Sequence, residues 1–362
     1  MFAFVPRLSI IPRLFSQNTR SFANTPGGKL RYPPLLGTSI VFGGYLGFLL
    51  LTDKEVPPEH YRTDFTATLF RRLPLNGLSR FICWVSEFHI PEMFRPVVCS
   101  TYAHAFGCNL FELKDPDLKN YASISDFFVR ELADGCRPID KKSPMVSPAD
   151  GEVVYFGPVS SSSQDRLEQI KGVYYSFSEF LGCQPPSSIN PDRQLYQCII
   201  YLAPGDCHRF YSPTDWEATV RRHFAGKLLS VRPAVAARLP GLYTLNERVV
   251  CLGKWQYGFM SFSAVGALGV GRIRISVDPS LTTNQPLDNH MRFHLKGSQY
   301  LAVPYTEKEL PDGLRVQKGS EFGRFQFGST IVLIFEAPAG RVKWRVKPGD
   351  RVKIGEGLID VI

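Results

Sequence analysis

After Pro138 the chain is cut into short apolar runs by Pro, Gly, Asp and Asn: GEVVYFG (151–157), LYQCIIYLA (195–203), RVVCLGKW (248–255), YGFMSFSAVG (257–266), GRIRISV (271–277), TIVLIFEA (330–337) and RVKWRV (341–346). Runs this short, rich in Val, Ile, Phe and Tyr and bounded by turn formers, suit strands and not helices. Residues 136–362 therefore read as a β-rich domain, with Ser160 to Ser163 as a surface loop. Upstream the period changes. FRRLPLNGLSRFICWVSEF (70–88) and PEMFRPVVCSTYAHAFG (91–107) carry apolar residues at helical spacing, with Arg71, Arg72 and Arg80 off the apolar stripe. Ser125 is the expected N-cap of a helix leading into FFVREL (127–132). The expected fold class is α+β: a helical region over 55–135, then the β-rich domain. At 362 residues and 44% hydrophobic content the chain is long enough for a substantial core.

Two segments share a local design, SPADGEVV (147–154) and VKPGDRVKIGEGLIDVI (346–362). The second, with Pro348, Gly349, Asp350, Val352, Gly355 and Leu358, looks like the hairpin of a barrel-sandwich (lipoyl-like) domain. No lysine stands at a hairpin tip as a carrier domain needs, so this is architecture and its glycines are turn formers.

The N-terminal stretch has a different character. No acidic residue precedes Asp53, while Arg7, Arg13, Arg20, Lys29 and Arg31 punctuate Phe, Leu, Ile and Ser. Residues 1–32 have the composition of a mitochondrial transit peptide, the alternative being a disordered basic arm. A secretory signal fits worse, because Pro6, Arg7, Pro12 and Arg13 break the first apolar run. LLGTSIVFGGYLGFLLL (35–51) is uncharged and at the short end of what spans a bilayer. Gly37, Gly43, Gly44 and Gly47 would weaken a soluble helix but are ordinary in a membrane helix. Basic residues precede the run and Asp53, Glu55, Glu59 and Asp64 follow it, which places the N-terminus in the matrix and the body on the intermembrane-space side of the inner membrane. A buried core helix is the other reading of this run. Helices beside such an anchor suit the lipid surface as well as packing against the rest of the protein.

Charge and cysteine spacing narrow the partners. The 42 Lys+Arg against 33 Asp+Glu leave +9, which favours an anionic partner: nucleic acid, phospholipid or an acidic metabolite. Cys83, Cys99, Cys108, Cys136, Cys183, Cys198, Cys207 and Cys251 include no C-x-x-C pair. That spacing disfavours zinc knuckles and thioredoxin-type motifs; the even count permits a disulfide framework, but a chain this long does not need staples, and free, mostly buried thiols are expected. There is no Walker loop, dinucleotide fingerprint or metal-ligand spacing to support a kinase, a Rossmann enzyme or a zinc hydrolase.

The segment that carries chemistry is KGSEFGRFQFGSTIVLIFEAP (318–338). Gly328-Ser329-Thr330 stands at the entrance to an apolar strand, where Gly328 can adopt a backbone closed to other residues. Taken alone the tripeptide is a tight turn. The whole pattern, E-x-G-x-F-x-F-G-S-T before a long hydrophobic strand, resembles the self-cleavage site of phosphatidylserine decarboxylases. LPLNGLSR, YAHAFGCN, SDFFVREL with RPID, SPADGEV, KGVYYSFSEFLG, YLAPGDCHRFYSPTDW, LNERVV and AVGALGVGRI resemble further blocks of that family in its order, from about Leu73 onward.

The resemblance implies an enzyme of mitochondrial type that converts phosphatidylserine to phosphatidylethanolamine and CO2, with inner-membrane lipid around it and no nucleic-acid partner. Decarboxylation leaves a carbanion that needs an electron sink conjugated to the amine. In the family a pyruvoyl group made from the serine of the Gly-Ser bond provides it through a Schiff base, and neither pyridoxal phosphate nor a metal is expected. Cleavage at Gly328–Ser329 yields a β chain ending at Gly328 and an α chain of the 34 residues 329–362. The two must stay together as a heterodimer, because the α chain is too short to bury a core.

The resemblance also assigns roles. Attack by Ser329 needs a base and an orienting acid. Asp150, in SPADGEV, matches the family's acid; alone it would be a turn-forming Asp-Gly. The family pattern D-Y-H-x-x-H uses the first histidine in decarboxylation and the second in processing. Here the segment reads Asp206-Cys207-His208-Arg209-Phe210-Tyr211, so His208 aligns with the first and Tyr211 replaces the second. Tyrosine, with a pKa near ~10, is a poor base at neutral pH. Three readings follow: His208 serves both steps, Tyr211 only orients, or maturation is slow. A rival function also follows from Tyr211, an uncleaved membrane-anchored homologue that binds phospholipid or partners without turnover.

Overall fold

The computed structural model describes residues 75–159, 166–170, 172–184, 192–269, 272–285 and 305–362. The expected transit peptide at 1–32, the apolar run at 35–51, residues 55–74 of the helical region and the serine run at 160–163 lie outside the described residues. The chain divides into two compact units, Met1–Lys54 and Glu55–Ile362, and all described residues belong to the second.

Helices come first, as the spacing requires: α1 (Leu75–Ser86), α2 (Arg95–Phe106) and α3 (Ile124–Phe128). α2 carries Pro96 in its first turn, where the missing N–H leaves no bond unmade, and ends at Gly107 with φ 70°. α3 corrects the expected cap. Ser123, not Ser125, accepts from the Asp126 amide at 3.1 Å, and Ser125 is buried inside the first turn. No described helix is long and apolar enough to cross a membrane.

The strands are β1 (Met145–Val146), β2 (Gly151–Pro158), β3 (Arg166–Ile170), β4 (Val173–Ser176), β5 (Arg193–Leu202), β6 (Arg209–Tyr211), β7 (Trp216–Phe224) and β8 (Arg248–Trp255). They continue with β9 (Gly258–Gly266), β10 (Arg272–Ile275), β11 (Thr306–Val316), β12 (Glu321–Gln326), β13 (Ser329–Pro338), β14 (Val342–Trp344), β15 (Arg351–Val352) and β16 (Gly357–Val361). Eight of them make one sheet in the order β11-β7-β8-β9-β13-β5-β2-β15, antiparallel throughout.

β13 lies inside that sheet. It pairs with β5 from Ser329 opposite Leu202 to Pro338 opposite Arg193, and with β9 from Ser329 opposite Gly266 to Phe335 opposite Met260. Ile331, Val332, Leu333, Ile334 and Phe335 are all fully buried. Consecutive burial means that both faces are covered, which is why this strand reads as an unbroken apolar run and not an alternating one. Residues 329–362 thus contribute an interior strand, as the short length of this segment requires.

The two segments of similar design are partners. β15 pairs with β2 (Arg351 opposite Glu152), the Ser147 amide donates to the Glu356 carbonyl at 2.7 Å, and just upstream β1 pairs with β16 (Met145 opposite Ile359). The barrel-sandwich expectation is nonetheless corrected: the described sheets are open and none closes into a barrel. The C-terminal hairpin is divided, β15 extending the edge of the large sheet while β16 joins the separate sheet β1-β16-β14. All eight cysteines are free, and Cys83, Cys99, Cys198, Cys207 and Cys251 are buried, as expected.

Candidate active site

Three strand ends bring the candidate residues to one edge. β2 starts at Gly151, β5 ends at Leu202 and β13 starts at Ser329, with Tyr201 opposite both Glu152 and Thr330. Neighbouring strands lie about 4.8 Å apart, so Asp150 leaves the sheet two strands, roughly 10 Å, from Ser329. Gly151 permits this close packing: a Cβ there would stand 2.4 Å from the Tyr201 carbonyl oxygen.

The Gly328–Ser329 peptide follows a strained approach. Phe327 has φ 71° and Gly328 φ 30°. The left-handed region is costly for a bulky residue such as Phe327. At Gly328 a Cβ would meet only ordinary contacts, the nearest Leu268 O at 3.7 Å, so glycine is needed for its backbone and not for space. Ser329 is fully buried and its Oγ has no hydrogen-bond partner; Thr330 Oγ1 and Gln326 Oε1 are likewise buried and unpartnered. A buried polar group left in this state costs about 1–3 kcal/mol.

His208 is fully buried beside this segment. Its carbonyl accepts from the Phe325 amide at 2.9 Å, and its ring lies 4.0 Å from that of Phe128, which in turn lies 4.3 Å from Phe327. Nδ1 is 3.0 Å from the Asp206 carbonyl oxygen. A carbonyl only accepts, so Nδ1 carries the proton and donates, leaving the lone pair on Nε2, which has no partner. Burial, reinforced by the Arg130 charge, pushes the His208 pKa down to about 3. The imidazole is therefore neutral at neutral pH, with the Nε2 lone pair unpartnered.

Tyr211 lies opposite Glu321 on β6, and its amide donates to the Pro148 carbonyl at 2.7 Å, two residues before Asp150. Burial, then Cys207 and Glu321, raises its phenol pKa. The phenol stays protonated and is no base. Asp150 is committed elsewhere. Its carboxylate accepts from Arg137 Nε at 2.9 Å, Arg137 Nη2 at 2.7 Å and the Ile354 amide at 2.9 Å. Arg137 also binds Glu112 at 2.6 Å, which holds the Glu112 carboxyl below its ordinary pKa. Asp150 and Ser329 thus share an edge of the large sheet, with Tyr211 tied to it through Pro148 from the separate β10-β12-β6 sheet, and no hydrogen bond among the described residues joins the three into a relay.

Arg130, Arg137, Glu112 and the ring of Phe128 were not singled out from the sequence, although Arg130 lies in FFVREL and Arg137 in RPID. Arg130 Nη2 donates to the carbonyls of Gly205 at 2.6 Å and Asp206 at 3.2 Å, while its Nε and Nη1 have no partner. Of the eight buried side-chain polar atoms without a partner among the described residues, six belong to Gln326, Ser329, Thr330, His208 and Arg130. Such concentration is the mark of a site and not of a packed core. It also fits a carbonyl group made from Ser329: the position is buried, walled by Phe327 and Phe128, and supplied with unpartnered polar atoms.

A family model described as phosphatidylserine decarboxylase matches residues 124–360, the stretch that holds all these groups except Glu112. The chain belongs to the phosphatidylserine decarboxylase family. The family's members are pyruvoyl-dependent decarboxylases, and the resemblance read from the sequence blocks is borne out. Among relatives, the mitochondrial phosphatidylserine decarboxylase proenzyme of Rattus norvegicus is 38% identical over 344 residues, covering 87% of this chain and 82% of the relative. That of Caenorhabditis elegans is 39% identical over 327 residues, covering 89% and 82%. Proenzyme 1 of Saccharomyces cerevisiae is 35% identical over 368 residues, covering 80% and 73%.

Proposed function

We propose that this phosphatidylserine decarboxylase family member cleaves itself between Gly328 and Ser329 and then converts phosphatidylserine to phosphatidylethanolamine and CO2. The observation that carries the reading is Ser329 Oγ, buried and unpartnered, behind two residues with positive φ at the start of an interior strand.

Ser329 Oγ attacks the Gly328 carbonyl carbon, the Gly328 C–N bond breaks and the Ser329 amine is freed, so that an ester replaces the amide. Loss of the Ser329 Cα proton then breaks the Cβ–Oγ bond, releasing the β chain with a carboxylate on Gly328. The dehydroalanine left on the α chain takes up water and loses ammonia, leaving the ketone. His208 Nε2, neutral and free, receives the hydroxyl proton and returns it to the departing amine. Asp150, held by Arg137, fixes the β2 end of the site. Pairing of β13 with β5 and β9 keeps the two chains together. The pyruvoyl group, once present, supplies an electron sink conjugated to the substrate amine. In that reaction His208 Nε2 relays a proton taken up from solvent to Cα in place of CO2, and the Phe128 and Phe327 rings border the site.

Purified protein is expected to show two chains by intact mass and to release CO2 from phosphatidylserine without added pyridoxal phosphate or metal. Hydroxylamine, which traps carbonyls, should abolish that activity. A single full-length chain with no CO2 release would favour the second reading, a lipid-binding homologue, which the protonated Tyr211 phenol supports.

Residues 1–32 act in this proposal as the transit peptide and 35–51 as a single inner-membrane span, with the helical region and β-rich domain on the intermembrane-space side. Exposed apolar side chains in the helical region support a body resting on lipid: Trp84 is 57% and Phe111 99% exposed, with Phe81, Met93 and Val97 also bare. The mature protein should resist alkaline carbonate extraction and become protease-sensitive when the outer membrane is ruptured. Extraction would reject the span, and protection would reject the orientation.

A further inference from the structure

A second buried arginine shows how this fold satisfies a guanidinium that has only a structural task. Arg248 is fully buried, and all three of its nitrogens donate to carbonyls: Nε to Phe180 at 2.9 Å, Nη1 to Thr244 at 2.8 Å and Nη2 to Glu179 at 2.7 Å. Other buried arginines meet carboxylates, Arg221 that of Asp278 and Arg209 that of Glu321. Arg130 is satisfied only in part: Nη2 donates to the Gly205 and Asp206 carbonyls and the guanidinium lies 5.3 Å from the Phe127 ring. It is 4% exposed, no described carboxylate pairs with it, and Nε and Nη1 donate to nothing. A desolvated cation with unused donors is stable only where an anion completes it.

The place of that anion follows from a shared acceptor. Arg130 Nη2 and His208 Nδ1 both donate to the Asp206 carbonyl oxygen, at 3.2 and 3.0 Å, so the guanidinium stands beside the imidazole, whose ring packs on Phe128 at 4.0 Å, itself 4.3 Å from Phe327. The loop carrying the acceptor is fixed by the Tyr102 hydroxyl, which donates to the Pro204 carbonyl at 2.9 Å, and by Gly205, where a Cβ would stand 2.0 Å from the Phe106 carbonyl oxygen.

We propose that Arg130 is the receptor for the phosphodiester of the lipid headgroup, an inference that rests on the decarboxylase reading. The substrate offers two anions. Its carboxylate loses its charge as CO2 leaves, so a cation bound there would hold the reactant more tightly than the transition state and oppose the reaction. The phosphodiester keeps its charge throughout, and its oxygens suit the N–H donors of a guanidinium.

The test uses mature full-length enzyme and calorimetric binding of dihexanoyl phosphatidylethanolamine, which has the phosphodiester and lacks the carboxylate, beside serine, which has only the carboxylate. Arg130→Gln should weaken binding of the short-chain lipid about thirtyfold or more and leave that of serine unchanged. In turnover KM for phosphatidylserine should rise far more than kcat falls. Arg130→Lys, which keeps the charge and loses the fork, should recover part of the affinity, and it carries the same comparison where Arg130→Gln fails to mature. No binding to the wild type, equal affinity in both variants and wild type, or a loss confined to serine would overturn the assignment. Because binding is read without turnover, an inactive wild type would count against the decarboxylase reading and leave this one to be decided by the heats.

Discussion

Ser329→Ala is expected to leave one chain uncleaved between residues 328 and 329, with no decarboxylase activity. The effect is complete because the same oxygen is the nucleophile of cleavage and the leaving group whose elimination makes the dehydroalanine that becomes the ketone; alanine offers neither. Folding should not suffer. Ser329 Oγ has no partner to lose, and removing a buried unpaired hydroxyl relieves about 1–3 kcal/mol, so the variant should melt no lower than the precursor. That combination separates a chemical role from a structural one. A 34-residue fragment on a denaturing gel of the variant would end the Ser329 assignment.

The second large effect concerns the base. His208→Ala should stop cleavage, whereas Tyr211→Phe should leave it within a few-fold, roughly the span of a lost neutral hydrogen bond. The grounds are geometric: Nε2 of His208 carries a free lone pair beside the segment that ends at Gly328, and the Tyr211 phenol keeps its proton. In a His208→Ala background, Tyr211→His should restore cleavage without restoring CO2 release, because it supplies an imidazole titrating near ~6.5 at the position the family uses for processing. Time courses of precursor loss and of CO2 release read the two steps apart. Cleavage that survives His208→Ala would show that another group is the base.

Acid should act through the same residue. The folded pKa of His208, about 3, lies below the ordinary histidine value, so the unfolded chain binds the extra proton first. The contribution of a neutral His208 to stability is therefore present at neutral pH and above, and is lost as pH falls from about 6.5 toward 3.

Where a strand is apolar on both faces, as over Ile331 to Phe335 of β13, the run of residues announces it, because burial on both sides leaves no polar position to break the pattern. β7 and β11 were missed for the opposite reason. β7 carries Arg221, Arg222 and His223, whose partners Asp278, Glu307 and Glu247 lie far along the chain. β11 contains Pro311 and Gly313, accommodated by a register shift between Glu309 and Leu314. The α3 cap moved from Ser125 to Ser123 because a capping hydroxyl is chosen by the amide it reaches, and both serines satisfy the composition rule.

The Gly328-Ser329 pair proposed for cleavage and the order of the family's blocks were legible in the sequence alone, since such a cleavage would involve two adjacent residues and a linear pattern describes them fully. Tertiary structure decided everything that depends on a partner. Asp150 is bound to Arg137 and not to an imidazole, His208 has its tautomer set by the Asp206 carbonyl, and Arg248 is saturated while Arg130 is not. The physical reason is that protonation, desolvation and unmet hydrogen bonds are properties of surroundings, and strand pairing assembles those surroundings from residues as distant in sequence as Arg130 and Gly205 or Asp150 and Ile354.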